Sequence, residues 1–189
     1  MVRDQFQFRK KNQLKKKDRS NEQQVDLKIR KLCEKINSKK DYYTTSSCSG
    51  RINLVKCEVE KSEDAFLFKT HKKVQFSDFI SELNKIILEY KKLVYFKQEP
   101  FIVHIACSSL ENAEKILEIA IKAGIKKRGI LSAGTRFIVE LLGSEKLELP
   151  IADKGKFLVS EDYLRVLINE ANSRLEKTWE KIQRLTNRI

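Results

Sequence analysis

The chain has 189 residues, 41% of them apolar, enough to fill the core of one domain with or without an arm. Six glycines and two prolines exclude a loop-rich chain, and no apolar run nears the roughly 20 residues of a membrane span. A formal net charge of +13 points to a polyanionic partner, with nucleic acid ahead of an acidic membrane surface.

That charge is concentrated. Residues 1–41 carry 14 lysines and arginines against 6 acidic residues. The alternative is a solvated basic helix face. The N-terminus is charged throughout and lacks a secretory apolar segment. The four cysteines form no C-x-x-C pair, and the histidines number two. An intracellular, cytoplasmic protein with reduced thiols and no zinc site is expected.

In chain order, Arg3 to Arg19 is basic with sparse apolar points at Phe6, Phe8 and Leu14, a weak helix or an arm that orders on a partner. Val25, Ile29, Leu32, Cys33 and Ile36 recur at helical spacing and predict a helix from about Glu22 to Ser38. Strands are expected at Tyr42–Ser46, Arg51–Val59 and Ala65–Val74. A helix follows through Phe79, Leu83, Ile86 and Ile87, with Ser77 as its N-cap. Leu93–Lys97 and Phe101–Cys107 read as strands parted near Pro100, the second apolar enough to be buried on both faces. Ser108 to Glu111 has the S-x-x-E form of a capping box, and its helix should end at Gly124. Ile130–Ser132, Arg136–Leu142, Lys146–Ile151 and Phe157–Val159 are further strands.

Ser160 should cap a long C-terminal helix reaching nearly to Ile189. Leu164, Ile168, Ala171, Leu175, Thr178, Ile182, Leu185 and Ile189 form a heptad seam along it. Packing on the body of the same chain is favoured, and a self-associating coiled coil is the alternative. The element order predicts an α+β fold with a mixed, largely antiparallel sheet, flanking helices and the long C-terminal helix.

Three standard signatures are missing: G-x-G-x-x-G after a strand, the G-x-x-x-x-G-K-[ST] loop, and H-E-x-x-H. The densest polar stretch is Thr44 to Arg51, which holds Ser46, Ser47, Cys48, Ser49, Gly50 and Arg51. It exceeds what a turn needs and is a candidate site, with a polar edge strand and turn as the plainer reading. His104 stands alone among apolar neighbours in Phe101–Cys107, so it needs a partner or a cavity. His71 lies at a strand end, where a surface histidine is the default. Arg51 can fork onto a carboxylate or phosphate. Arg136 follows Ser132-Ala133-Gly134-Thr135 and repeats the pattern of small residues before an arginine. The two clusters could converge on one anionic or RNA-facing pocket.

Taken in order, the segments Thr44–Arg51, Phe68–His71, Glu99–His104, Ala113–Gly124 with Ile125–Ser132, Leu149–Lys156, Val159–Tyr163 and Asn169–Asn172 resemble the tRNA wybutosine-synthesizing protein 3 family. The resemblance spans roughly Phe8 to Leu185. It implies a single methyltransferase domain over residues 1–189, outside the Rossmann-like methyltransferase fold, with a basic arm or helix over about residues 1–20. It further implies S-adenosylmethionine as methyl donor without a metal. The substrate would be the N4 nitrogen of the 7-aminocarboxypropyl-demethylwyosine base at position 37 of phenylalanine tRNA.

From the same resemblance, His104 and Ser47 are the expected catalytic residues. Ser46, Cys48, Ser49, Gly50, Arg51, His71, Ser132 and Arg136 would bind donor or base. Direct transfer needs no covalent intermediate, which argues against Cys48 as a nucleophile. Arg9, Lys10, Lys11, Lys15, Lys16 and Lys17 would hold anticodon-arm phosphates, and a monomer is favoured over a coiled-coil oligomer. The chain departs from the family pattern after Ile130, where basic and glycine residues shrink to Gly134 and Arg136, and over Cys57–Asp64, which lacks a tryptophan- and glycine-containing turn. The competing readings are a non-catalytic basic RNA-binding module and an oligomeric scaffold.

Overall fold

The computed structural model describes residues 2–15, 26–56 and 65–189. The expected Cys57–Asp64 segment, the start of the second helix before Asp26, and Lys16 and Lys17 lie outside these. The elements run α1 (Val2–Lys15), α2 (Leu27–Ser38), β1 (Tyr42–Cys48), β2 (Arg51–Lys56), β3 (Phe66–Thr70), α3 (Phe76–Glu89), β4 (Val94–Glu99) and β5 (Ile102–Cys107). They continue with α4 (Leu110–Lys122), β6 (Lys127–Ser132), β7 (Phe137–Leu142), β8 (Leu147–Asp153), β9 (Lys156–Phe157) and α5 (Glu161–Arg188).

The α+β class and the long C-terminal helix are as expected. The sheet, expected as mixed and largely antiparallel, is antiparallel and divides into two, ordered β1-β5-β7-β6 and β3-β2-β4-β8-β9. Every pairing among the described strands is antiparallel. Alternating side chains mark a strand but do not name its neighbour. Here the break at Pro100 sends β4 to one sheet and β5 to the other. The chain divides accordingly into two compact units. One comprises Met1–Ser49, Phe101–Ser144 and Thr178–Ile189, the other Gly50–Pro100 and Glu145–Lys177.

In the first unit, Val103, Ile105 and Cys107 of β5 and Val139 and Leu141 of β7 share one buried sheet face with period two. Ile29, Leu32, Cys33 and Ile36 of α2, Ala113, Ile116 and Ala120 of α4, and Ile182 and Leu185 of α5 cover that face. Each large apolar side chain so buried contributes about 1.5–3 kcal/mol. The opposite face is covered only in part. There Phe6 of α1 packs against Tyr43, Ala106 and Ile138, with the Phe6 and Tyr43 ring centroids 5.1 Å apart. β5 is therefore not buried on both faces throughout, because Ile102 and His104 remain partly exposed.

α1 is a helix docked on its own unit. Gln7 donates to the Lys40 carbonyl at 3.0 Å and Gln13 to the Thr45 carbonyl at 3.3 Å. α4 starts one residue later than the S-x-x-E frame suggests. Ser109, not Ser108, accepts from the Asn112 N–H at 3.2 Å, while Ser108 donates to Asp41 at 2.8 Å. The helix ends as expected. Gly124, at φ +81°, lets Ile125 N reach Ala120 O and Gly124 N reach Ile121 O, both at 2.9 Å.

In the second unit, Ile52 and Leu54 of β2 sit centrally. Phe79 of α3 meets Phe68 and Phe96 edge-on, with centroids 6.0 and 5.8 Å apart. Ser77 does not cap α3. Phe76 is already helical, Gln75 occupies the cap position without a side-chain bond, and Ser77 turns to Asp78. Asn172 of α5 bonds both the N–H and the carbonyl of Val74, at 3.0 and 2.8 Å. Pro150 sits in β8 where the ladder to β4 shifts register between Val94 and Tyr95, which tolerates its missing N–H. Lys154-Gly155, both at positive φ, form the tight β8–β9 turn.

The heptad seam of α5 is consumed within the chain. Leu164, Ile168, Ala171 and Leu175 are buried in the second unit, and Thr178, Ile182 and Leu185 in the first. Cys33, Cys48 and Cys107 are not in disulfides.

Candidate functional site

Across the partly covered face of the first sheet, Ser46 of β1 lies opposite His104 of β5, and His104 lies opposite Glu140 of β7. Directly opposed residues in an antiparallel ladder project from the same face, so the three side chains share one. A β-bulge at Thr45 makes this so. It shifts the register between Thr44 and Ser46, re-aiming the strand, and the Thr45 hydroxyl donates to the His104 carbonyl at 3.4 Å.

His104 Nε2 lies 2.8 Å from Glu140 Oε2. Both side chains are roughly a quarter exposed, at 25% and 28%. A carboxylate oxygen accepts, so Nε2 carries a hydrogen, and in the neutral ring Nδ1 then keeps its lone pair. Gly129 of β6 lies opposite Glu140. A Cβ there would meet nothing within 4 Å, so the face is open beyond the carboxylate. At the other end of the window, Arg136 Nη1 donates to the Tyr43 hydroxyl at 2.7 Å beside Phe6.

The expected residues divide as follows. Ser46, Cys48 and His104 share the window's face, whereas Ser47 aligns with Val103 and projects from the opposite one. That register makes Ser46 rather than Ser47 the hydroxyl beside His104. Ser132 pairs with Ile138 on the edge strand and is exposed. It lies on the same face, one strand beyond Glu140 and two positions along. Ser49 is fully buried, and its N–H bonds the Asp26 carboxylate at 2.9 Å. Its hydroxyl has no partner among the described residues. The Cys107 thiol, pushed up to about 12 by burial, stays protonated at neutral pH and is no nucleophile.

Gly50, Arg51 and His71 belong to the second unit. Gly50 holds φ +93°, a region that favours glycine, and its carbonyl lies 2.9 Å from His71 Nδ1. A carbonyl only accepts, so His71 carries its hydrogen on Nδ1, the tautomer opposite to that of His104. Arg51 pairs with Glu99 across the β2–β4 ladder and lies 4.8 Å from the Phe66 ring centroid. Asn53 donates to the same carboxylate at 2.9 Å, leaving its own carbonyl oxygen buried without a partner among the described residues. Arg51 thus already has its counter-charge.

Along α1, Arg9 donates to the Thr135 hydroxyl at 2.6 Å and Lys10 to the Lys39 carbonyl, while Lys11 and Lys15 are exposed. Burial lowers the Lys10 ammonium, against the opposing pull of Asp41. Lys16 and Lys17 fall outside the described residues.

Glu140, Tyr43 and Asn53 went unmarked in the sequence. The signal for Glu140 was present: it is the one charged residue in Phe137–Leu142, as His104 is in Ile102–Cys107. Among the described residues, no helix is long and apolar enough to cross a membrane.

The family described as Methyltransferase TYW3 matches residues 7–189, a span running through both units. A tRNA(Phe) 7-((3-amino-3-carboxypropyl)-4-demethylwyosine(37)-N(4))-methyltransferase of Archaeoglobus fulgidus is 37% identical over 167 residues, covering 87% of this chain and 83% of the relative. A tRNA wybutosine-synthesizing protein 3 homolog of Danio rerio is 35% identical over 189 residues, covering 97% and 74%. The solved PH1069 protein of Pyrococcus horikoshii superposes with a TM-score of 0.86 at 28% identity, covering 98% of this chain and 94% of that one. The resemblance read from the ordered segments is borne out over nearly the whole length, and the chain belongs to the Methyltransferase TYW3 family.

Proposed function

We propose that this protein methylates the N4 nitrogen of the 7-aminocarboxypropyl-demethylwyosine base at position 37 of phenylalanine tRNA, with the chain acting as one catalytic domain. The observation that carries this reading is the near full-length identity to relatives bearing that activity in their names. The window of Ser46, His104 and Glu140 supports it as a cluster of the first unit that pairs an imidazole with open surface.

Methyltransferases of this family imply S-adenosylmethionine as donor. When bound, it supplies a methyl group on a sulfonium. The residues fit such a ligand: the buried Ser49 hydroxyl of the first unit has no partner among the described residues. A ligand rich in amino, carboxylate and hydroxyl groups would satisfy it. In the first unit, Ser46, Cys48, Ser132 and Arg136 are proposed to bind donor or base; for the second unit, taken by itself, the same is proposed of Gly50, Arg51 and His71. His104 orients the base and receives its proton. Alignment of reactants a little over 3 Å apart does the rest. Base 37 lies in a loop, so its edges are reachable without opening a duplex.

The test is incubation of the protein with labelled donor and tRNA bearing the unmethylated tricyclic base, followed by nucleoside mass spectrometry. A gain of one methyl on that base is expected. Unchanged base, with tRNA still bound and no donor binding by calorimetry, would favour a non-catalytic RNA-binding module.

α1 is proposed to track the phosphates of the anticodon arm. Gln13 anchors the helix to Thr45, next to Ser46, so its exposed lysines stand near the His104 window. K11A and K15A should each weaken tRNA binding and each lower the slope of log affinity against log salt by about one. Unchanged slopes would move the RNA contact elsewhere. The buried α5 seam supports a monomer, and the tRNA substrate supports a cytoplasmic location.

A further inference from the structure

We propose that Glu140 is a positioning residue. It locks His104 as the Nε2–H tautomer, so that Nδ1 accepts the proton released when the base nitrogen is methylated. The inference deepens the proposed function and rests on it.

A ring nitrogen that carries hydrogen cannot keep it and gain a methyl group without becoming a cation. As the new nitrogen–carbon bond forms, the carbon–sulfur pair stays with sulfur, and the sulfonium becomes a neutral thioether. The nitrogen–hydrogen bond breaks, its pair remains on the base, and the proton passes to a neighbouring acceptor and from there to water. Neutral imidazole accepts at only one nitrogen, and the partner of the other nitrogen selects which. Glu140 Oε2, 2.8 Å from Nε2, selects Nδ1.

Three features argue that this pair is built rather than incidental. Glu140 is the lone charged residue of β7, and His104 is the lone imidazole of β5, a strand otherwise apolar but for the buried Cys107 thiol. Register places them directly opposite each other on the two central strands of the sheet. Both backbones are anchored from below, since Val103, Ile105, Val139 and Leu141 are fully buried in the core. An exposed ion pair on flexible side chains would have none of these. The bulge at Thr45 leaves the histidine flanked by the Ser46 hydroxyl on one side and the Glu140 carboxylate on the other, with open space above Gly129 beyond the carboxylate.

The test uses the intact chain, E140Q, and tRNA carrying the unmethylated base. Glutamine keeps the shape, but its amide can donate to Nε2 as readily as accept from it, so the tautomer lock is lost. Nitrogen-15 correlation spectra of the two imidazoles, recorded at a pH high enough that their shifts no longer move, report the tautomer directly. Loss of one pattern in H104N assigns the signals, and His71, bonded to the Gly50 carbonyl, serves as the internal Nδ1–H reference.

In the wild type, His104 should show the Nε2–H pattern. E140Q should populate Nδ1–H and lose single-turnover rate by about 10²-fold or more, with tRNA affinity and thermal midpoint unchanged. E140D, which keeps the carboxylate, should recover part of the rate and the original tautomer. A wild-type rate in E140Q overturns the proposal whether or not the tautomer moves. A lost rate with an unmoved tautomer overturns it too, since Glu140 would then act directly on the substrate. A wild-type chain that leaves the tricyclic base unmethylated overturns the functional reading itself. An active wild type with an insensitive E140Q sinks only this inference.

Discussion

H104A should slow methyl transfer by about 10²–10⁴-fold, the usual contribution of a positioned general base, while binding tRNA within about twofold of the wild type. The split follows from where His104 sits. It is only a quarter exposed and is paired with Glu140 on the sheet face, so it offers RNA phosphates little, and that contact is the one proposed for the basic helix α1. Single-turnover rates against tRNA affinity by filter binding separate the two effects. Equal losses in rate and affinity would make His104 a binding residue. Imidazole added in solution can reach the space left by alanine because the His104 side chain is itself partly exposed. Partial rescue of the rate by imidazole is the corresponding positive sign.

F101A should cost about 3–5 kcal/mol of stability, the range for deleting a buried phenylalanine. Phe101 is fully buried, its side chain belongs to the core of the first unit, and its carbonyl accepts from Gly143 N–H at 2.9 Å. Fragment relaxation is limited because α2, α4 and the sheet all close on that core. In a chain of this length the thermal midpoint should fall on the order of 10 °C. L131A, at a residue 57% exposed on an edge strand, should move stability by no more than about 0.5 kcal/mol. Thermal melts of the two variants against the wild type make the comparison. Equal small shifts would show that the first unit's core is not what limits stability.

Most elements could be read from local pattern because their causes are local. The Gly124 terminus and the α5 seam depend on residues within one or two turns of each other. Caps proved less secure. Two overlapping frames, Ser108 and Ser109, both satisfied the local chemistry of α4, and the carboxylate of the distant Asp41 drew Ser108 away. Ser77 failed for a related reason, since Phe76 entered the helix first and left the serine inside the first turn.

The site was legible as a neighbourhood but not as a geometry. The serine-rich stretch and His104 do meet, because β1 and β5 pair antiparallel with Ser46 in register. The choice of serine turned on a single bulge. Strand side chains alternate with period two, so an extra residue at Thr45 exchanges which hydroxyl faces the histidine. Nothing in the local residue types of Thr44 to Ser47 favours a bulge at one of them. Arg51 shows the same limit. Its sequence neighbours suggested a cation free to grip an anion, yet the β2–β4 ladder brings Glu99 against it.

The sequence alone determined the α+β class, the order of helices and strands, the basic first fifth and the family. Each rests on composition, periodicity or ordered segments that neighbouring residues carry together. The tertiary structure decided that the strands form two sheets, that Ser46 rather than Ser47 faces His104, and that Glu140 is the histidine's partner. Those outcomes depend on pairing between strands far apart in the chain, Ser46 with His104 and His104 with Glu140. Side-chain alternation says that a strand has two faces; only long-range register says what each face meets.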